Sequence, residues 1–157
     1  MSRATPATRF LDACGVAYEL AVYGYDPDAE RVGLQAAEAL GVAAGEVLKT
    51  LMVLVDGKPA CVVLSSDREV SMKKLAAALG GKSAEMMKPA EAERVTGYKV
   101  GGVSPFGQKR RVRTVLDEAA LARPQVFVNG GQRGLQARLA PADLVRVLEA
   151  TVAGVSA

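Results

Sequence analysis

Apolar residues along this chain follow two alternating periods, helical near the ends and continuous in the middle. Ala7, Phe10, Leu11 and Cys14 recur at helical spacing and share one face. Thr5 stands before them as an N-cap, Pro6 suits the first helical position, and Gly15 is the stop. Ser71 caps a second pattern with Met72, Leu75, Ala76 and Leu79 inward, closed by Gly80-Gly81. Pro141 opens a third, whose Leu144, Val145, Leu148 and Val152 form an apolar stripe. Shorter helical patterns occupy 34–40 and 89–96, the latter between Pro89 and Gly97.

Strand signals fill the space between. Apolar runs at 47–55 and 59–64 flank Asp56-Gly57, a hairpin dipeptide. Further short strands are expected at 17–22, 112–116, 125–128 and 135–139. No repeat, low-complexity segment or linker divides the chain, so 1–157 reads as one domain. The expected fold is α+β: a mixed, strongly curved, barrel-like β-sheet with helices packed around it.

Composition narrows the chemistry. At 157 residues and 50% hydrophobic, the chain can bury a sizeable core. No apolar run approaches the roughly 18 residues of a membrane span, and the first residues lack the apolar core of a secretory signal. Two scattered cysteines, Cys14 and Cys61, make no disulfide framework and read as core, which points to the cytoplasm. The chain contains no histidine. That excludes Ser-His and Cys-His nucleophile pairs, an imidazole base and a histidine metal site, and the expectation is no metal and no cofactor.

Charge is segregated along the sequence. Residues 16–48 carry six acids and one base, whereas 94–142 carry nine bases and two acids. Either the basic segment forms a face for a polyanion, or the two segments mix in space and cancel.

One stretch, 96–111, combines Gly101-Gly102, Ser104-Pro105 and Gly107 with the basic run Lys109, Arg110 and Arg111. Glycines let a backbone approach a ligand, and the cations would meet phosphate; the plainer reading is a tight turn before a solvated strand. A second glycine turn, Gly130-Gly131 with Gly134, carries Arg133. Lys49 interrupts the apolar run at 47–55 and must reach water, a carboxylate or an anionic ligand. Lys73 and Lys74 read as surface charges. Tyr23 and Tyr25 flank Gly24, placed either to stack on a base or to pack at a rim. Ser104 has no histidine to activate it and is not expected to be a nucleophile.

Lys49-Thr50-Leu51, the 96–109 stretch and Gly130-Gly131-Gln132-Arg133-Gly134-Leu135, in this order and spacing, resemble the YbaK/EbsC family. These are bacterial Cys-tRNA(Pro) deacylases related to the editing domain of prolyl-tRNA synthetase. The resemblance covers nearly the whole chain and implies Lys49 and Gly101 as catalytic residues. It implies that Gly102, Ser104, Pro105 and Gly107 hold the acylated terminal adenosine, with Tyr23, Thr50, Asn129, Gly130 and Gly131 also binding substrate. Lys109, Arg110 and Arg111 would contact the tRNA backbone. The implied partners are aminoacylated tRNA(Pro) and prolyl-tRNA synthetase. The family's cysteine-specific members cleave the ester through the substrate's own thiol, a chemistry that needs no histidine. Tyr25, Asn129 and Gln136 depart from the family pattern and bear on which amino acid is removed. Ala-tRNA(Pro) hydrolysis and a non-catalytic tRNA-binding module riding on a synthetase are the competing readings.

Overall fold

The computed structural model describes residues 4–26 and 32–157. Asp28, Glu30 and Arg31 of the acidic segment lie outside the described residues. Among the described residues five α-helices, α1 (Pro6–Ala13), α2 (Val32–Leu40), α3 (Met72–Ala78), α4 (Pro89–Thr96) and α5 (Pro141–Leu148), are interleaved with eight strands. The strands are β1 (Glu19–Val22), β2 (Leu48–Val55), β3 (Lys58–Ser65), β4 (Ala84–Met86), β5 (Arg113–Asp117), β6 (Val126–Asn129), β7 (Leu135–Leu139) and β8 (Thr151–Ala153).

Local chemistry explains the expected elements. Thr5 and Thr8 form a reciprocal capping box at α1, with N–H to hydroxyl distances of 3.0 and 2.8 Å. The Ser71 hydroxyl accepts the Lys74 N–H at 3.2 Å and starts α3. Asp56 and Gly57 both take positive φ, at 50° and 80°, which the tight β2–β3 hairpin demands.

The expected barrel-like sheet is overturned. Five strands form one sheet in the order β4-β2-β3-β5-β8, and three form another, β1-β7-β6. The larger sheet ends on two three-residue strands, and a bridge between Val47 and Phe127 joins the two sheets. Closure needs an unbroken edge-to-edge ladder and in-strand kinks or bulges. Here no glycine lies within a described strand, so the glycines bend loops and leave both sheets open.

The larger sheet mixes directions: β2 pairs antiparallel with β3 and β4, while β3–β5 and β5–β8 are parallel. Strand β2 divides the core, with Leu48 and Met52 packing among residues of α1, α4, α5 and the smaller sheet. Val53 and Val55 pack on the other face with Leu75 and Ala76 of α3. The apolar stripe expected to continue through Val152 stops at Leu148. Glu149 turns left-handed, at φ 49°, and Val152 joins β8 beside Leu116. Cys61 is buried as expected; Cys14 caps α1 and is only half-buried.

Candidate functional site

The first five residues of β2, Leu48 to Met52, line a cavity of about 450 Å³. Its walls come from β2, Met86 at the end of β4 and Met87 after it, Val100, Gly101 and Val103 of the glycine loop, and Asn129 and Gln136 of the smaller sheet. The site therefore lies where the two open sheets meet, which is possible because they do not close on each other.

Lys49 projects from this strand with only 21% of its side chain exposed, and its Nζ lies 4.0 Å from Oε1 of Glu69, itself 67% exposed. A buried ammonium needs a counter-charge. Glu69 supplies one at the mouth, where an incoming anion can compete with it, since such half-exposed pairs contribute about 0–1 kcal/mol. Thr50 also lines the cavity. Its hydroxyl is buried and has no hydrogen-bond partner among the described residues.

Gly101 lines the cavity at φ +90°, where a Cβ would strike the Tyr25 hydroxyl and come within 3.4 Å of Arg133 Nε. Asn129 holds the loop there. Its Nδ2 donates to the carbonyls of Gly101 and Gln132, each at 3.4 Å, and its Oδ1 accepts the Gly131 N–H at 2.7 Å. Arg133 donates from Nε to the Val100 carbonyl at 2.8 Å, and its guanidinium lies 5.4 Å from the Tyr25 ring centroid. The second glycine turn thus braces the first.

The remaining residues expected at the site fall elsewhere. Ser104 is fully buried, its hydroxyl accepting the Phe106 N–H at 3.2 Å and its carbonyl accepting Gln108 Nε2 at 3.0 Å. Pro105 and Gly107 face a second cavity of about 140 Å³ that Phe10, Arg111 and Leu148 also line. A Cβ on Gly107 would collide with the Pro6 carbonyl at the start of α1. One on Gly102 would sit 2.8 Å from the Arg133 backbone nitrogen. The Gly130 carbonyl accepts the Thr5 hydroxyl at 2.6 Å, and a Cβ on Gly131 would press within 2.9 Å of the Tyr98 ring. These four glycines allow close packing of backbone and do not line the main cavity. Tyr23 is buried with Ala36, Ala37, Val47 and Phe127 and does not line the cavity either. Burial pushes its hydroxyl above the usual phenol range, opposed by the neighbouring Gln136 amide, yet neither the hydroxyl nor Gln136 Oε1 makes a hydrogen bond of normal geometry.

Lys109, Arg110 and Arg111 are exposed, and none lines the main cavity. Arg111 pairs with Glu149 at 3.3 Å. Arg123 reaches Glu46 at 3.8 Å and Arg94 reaches Glu91 at 4.0 Å, so the charge imbalance of the sequence is partly cancelled in space. Among the described residues no group of three or more acidic, cysteine or histidine side chains could hold a metal ion, and no helix is long and apolar enough to cross a membrane. Residues missed by the sequence reading are Glu69, Met86, Met87, Val100 and Val103. The adjacent methionines are a sequence signal for an adaptable apolar wall; Glu69 has none, because β3 and the turn after it bring it to Lys49.

Comparison with known proteins adds a consistent set of relatives. Residues 26–147 match the family described as the aminoacyl-tRNA editing domain. A protein of Enterococcus faecalis assigned as a Cys-tRNA(Pro)/Cys-tRNA(Cys) deacylase, EbsC, is 38% identical over 87% of this chain and 84% of its own. The multifunctional Ser/Thr-tRNA deacylase ProXp-y of Escherichia coli is 27% identical over 71% of this chain and 70% of its own. A crystal structure of a protein assigned as a trans-editing enzyme for prolyl-tRNA synthetase superposes with a TM-score of 0.82 at 25% identity, covering 99% of each chain.

Proposed function

Because the chain belongs to the aminoacyl-tRNA editing family, we propose that it is a trans-acting deacylase that removes cysteine from mischarged tRNA(Pro), with prolyl-tRNA synthetase as its partner. The observation that carries this reading is the placement of Lys49 and Gly101 on the walls of one cavity. Its volume of about 450 Å³ falls within the range of small-ligand sites and suits an aminoacylated terminal nucleoside.

No cysteine lines the cavity, and its hydroxyls, Thr50 and Ser66, have no histidine to activate them. Cys61 is buried, away from the cavity lining, with its thiol pushed up to about 12 by burial, and Ser104 is sealed beneath the glycine loop. In this proposal the attacking group is the substrate's own thiol, a reading supported by the lack of an activated protein nucleophile on the cavity wall. Its sulfur forms a bond to the ester carbonyl carbon as the bond to the ribose oxygen breaks. The tRNA hydroxyl takes up the proton, and water later opens the cyclic thioester to free cysteine. The protein holds this near-attack arrangement. Lys49 exchanges Glu69 for the anionic terminal nucleotide. The Gly102 N–H is occupied by the Lys99 carbonyl at 2.8 Å, which makes the Gly101 N–H the loop's donor toward the developing oxyanion.

Deacylation assays with tRNA(Pro) carrying cysteine, alanine, serine, proline or S-methylcysteine test the proposal. Cysteine should be released rapidly, with proline and S-methylcysteine retained. Failure to hydrolyse any of these esters overturns the function, whereas rapid release of S-methylcysteine overturns only the substrate-assisted step. Dominant alanine release would assign the alternative substrate.

A further inference from the structure

Among the described residues, the lining of the main cavity carries two charged side chains, Lys49 and Glu69, one of each sign. Its other polar side chains are neutral. The Ser66 hydroxyl donates to the Val47 carbonyl at 2.7 Å, Asn129 holds the glycine loop, and Gln136 is buried beside Tyr23. Glu69 differs from these, because its side chain is 67% exposed at the mouth. Its backbone is fixed all the same. The Glu69 carbonyl accepts the Ala157 N–H at 2.8 Å, the Ser71 N–H donates to the Val155 carbonyl at 2.7 Å, and Val70 bridges to Ser156. The fold thus presents an open carboxylate on an anchored turn, 4.0 Å from the lysine.

An aminoacyl-tRNA terminus brings two charges of its own: the phosphate of its last nucleotide and, when the amino acid is unblocked, an α-ammonium. We propose that Glu69 receives this α-ammonium, so that the site takes aminoacyl esters with a free amine and rejects N-acylated ones, peptidyl esters included. This inference rests on the editing function proposed above and names the substrate class of the same site. Opening the resident ion pair frees one cation and one anion, and a free-amine substrate supplies a partner for each. Lys49 turns to phosphate and Glu69 to the ammonium, so neither charge is left alone in a half-enclosed site. An N-acylated ester supplies only the anion. It leaves the Glu69 carboxylate unpaired beside a second negative group, a like-charge contact that works against binding. No other carboxylate lines the cavity among the described residues, and a neutral oxygen cannot cancel the charge of an ammonium.

Binding of three non-hydrolysable analogues, adenosine 5′-phosphates amide-linked at the 3′ position, tests this without relying on catalysis. They carry a cysteinyl group, its des-amino counterpart 3-mercaptopropionyl, or N-acetylcysteinyl. At about pH 6 a free α-amine, with an ordinary pKa of about 7.7–8.0, is a cation. The wild-type protein should bind the cysteinyl analogue about 5-fold or more tightly than either of the others, the order of a charge-assisted hydrogen bond discounted for a partly exposed carboxylate. Glu69→Gln, which keeps the shape and removes the charge, should bring both ratios to near one while the 3-mercaptopropionyl analogue still binds. Equal wild-type affinity for the cysteinyl and 3-mercaptopropionyl analogues overturns the inference. So does an equal loss for all three in Glu69→Gln, which would tie Glu69 to Lys49 or to the fold and not to the amine. Glu69→Ser gives the same reading should the glutamine variant fail to fold, and a preference for the free amine that survives the loss of the carboxylate also overturns the inference. If no analogue binds and Cys-tRNA(Pro) is not hydrolysed, the editing function falls and this inference with it; unselective binding with intact hydrolysis overturns the inference alone.

Discussion

The two ends of the glycine loop do opposite things. Val100, Gly101 and Val103 line the main cavity, where Asn129 and Arg133 hold the carbonyls of Gly101 and Val100 from behind. Ser104 to Gly107, only a few residues on, lie against α1 and the core, with Ser104 and Phe106 fully buried. The Tyr98 hydroxyl donates to the Phe106 carbonyl and pins this half down. Glycine on the upstream side leaves backbone on a cavity wall, and on the downstream side it lets backbone meet backbone. The same residue type thus marks both a site and its foundation, and only contacts tell them apart.

Substitutions at each end should separate these roles. The largest stability effect is expected at Gly107, where φ is +62° and a Cβ would meet the Pro6 carbonyl, a backbone atom with little freedom to move. Gly107→Ala should cost about 3 kcal/mol or more from strain and overpacking. Thermal unfolding should then show a melting temperature lower by about 6–12 °C. An unshifted melting curve would end the view of the downstream half as foundation.

Lys49→Ala should act on turnover instead. Loss of a charge-assisted hydrogen bond of about 1.5–3 kcal/mol slows deacylation roughly 10- to 100-fold. Its Glu69 pair is partly exposed, so the melting temperature should change little. Unchanged single-turnover rates would remove Lys49 from the mechanism.

Ser104→Ala sharpens the comparison from the other side. It removes one neutral hydrogen bond to the Phe106 N–H, a stability loss of about 0.5–1.5 kcal/mol. Deacylation by the folded variant should stay within about threefold of wild type. A total loss of activity with an intact fold, or an acyl-enzyme trapped on this residue, would make Ser104 part of the chemistry.

The smallest effect near neutral pH concerns the dry downstream side. Burial raises the Cys61 thiol from 9.0 to about 12 and the Tyr98 hydroxyl from 10.0 to about 12. Raised acid pKa values mean that the folded state keeps protons the unfolded chain would release. Their stability contribution is complete below pH 9 and is lost as pH climbs from 9 toward 12. Denaturant unfolding should therefore show little dependence from these groups between pH 7 and 9 and a loss of about 1 kcal/mol by pH 10. A thiol at Cys61 that is alkylated readily in the native protein at pH 8 would contradict the dry packing.

Much of the site was legible in the order of residues. Lys49 stood out because a cation in an apolar strand must find an outlet, and Gly101 because a glycine pair before Ser-Pro marks unusual backbone. Tyr23, Gly102, Ser104, Pro105 and Gly107 carry the same local signals, yet they lie off the main cavity. Whether a loop residue faces a cavity or a neighbouring helix depends on what the rest of the chain places beside it, and periodicity does not contain that information. Met86 reaches the site through the β2–β4 pairing and Glu69 through the turn after β3.

By itself the sequence determined the α+β class, the caps of α1 and α3, the β2–β3 hairpin and the absence of imidazole chemistry. Each follows from local chemistry: a side-chain oxygen for orphan amides, a left-handed turn for Asp-Gly, a residue type absent from the chain. Only the tertiary structure decided that the sheets stay open, that the acidic residues Glu46 and Glu149 come round to the basic segment, and that Glu69 meets Lys49 at the cavity mouth. Those outcomes depend on which distant elements meet, and burial, ion pairing and unsatisfied hydrogen bonds exist only once they have met.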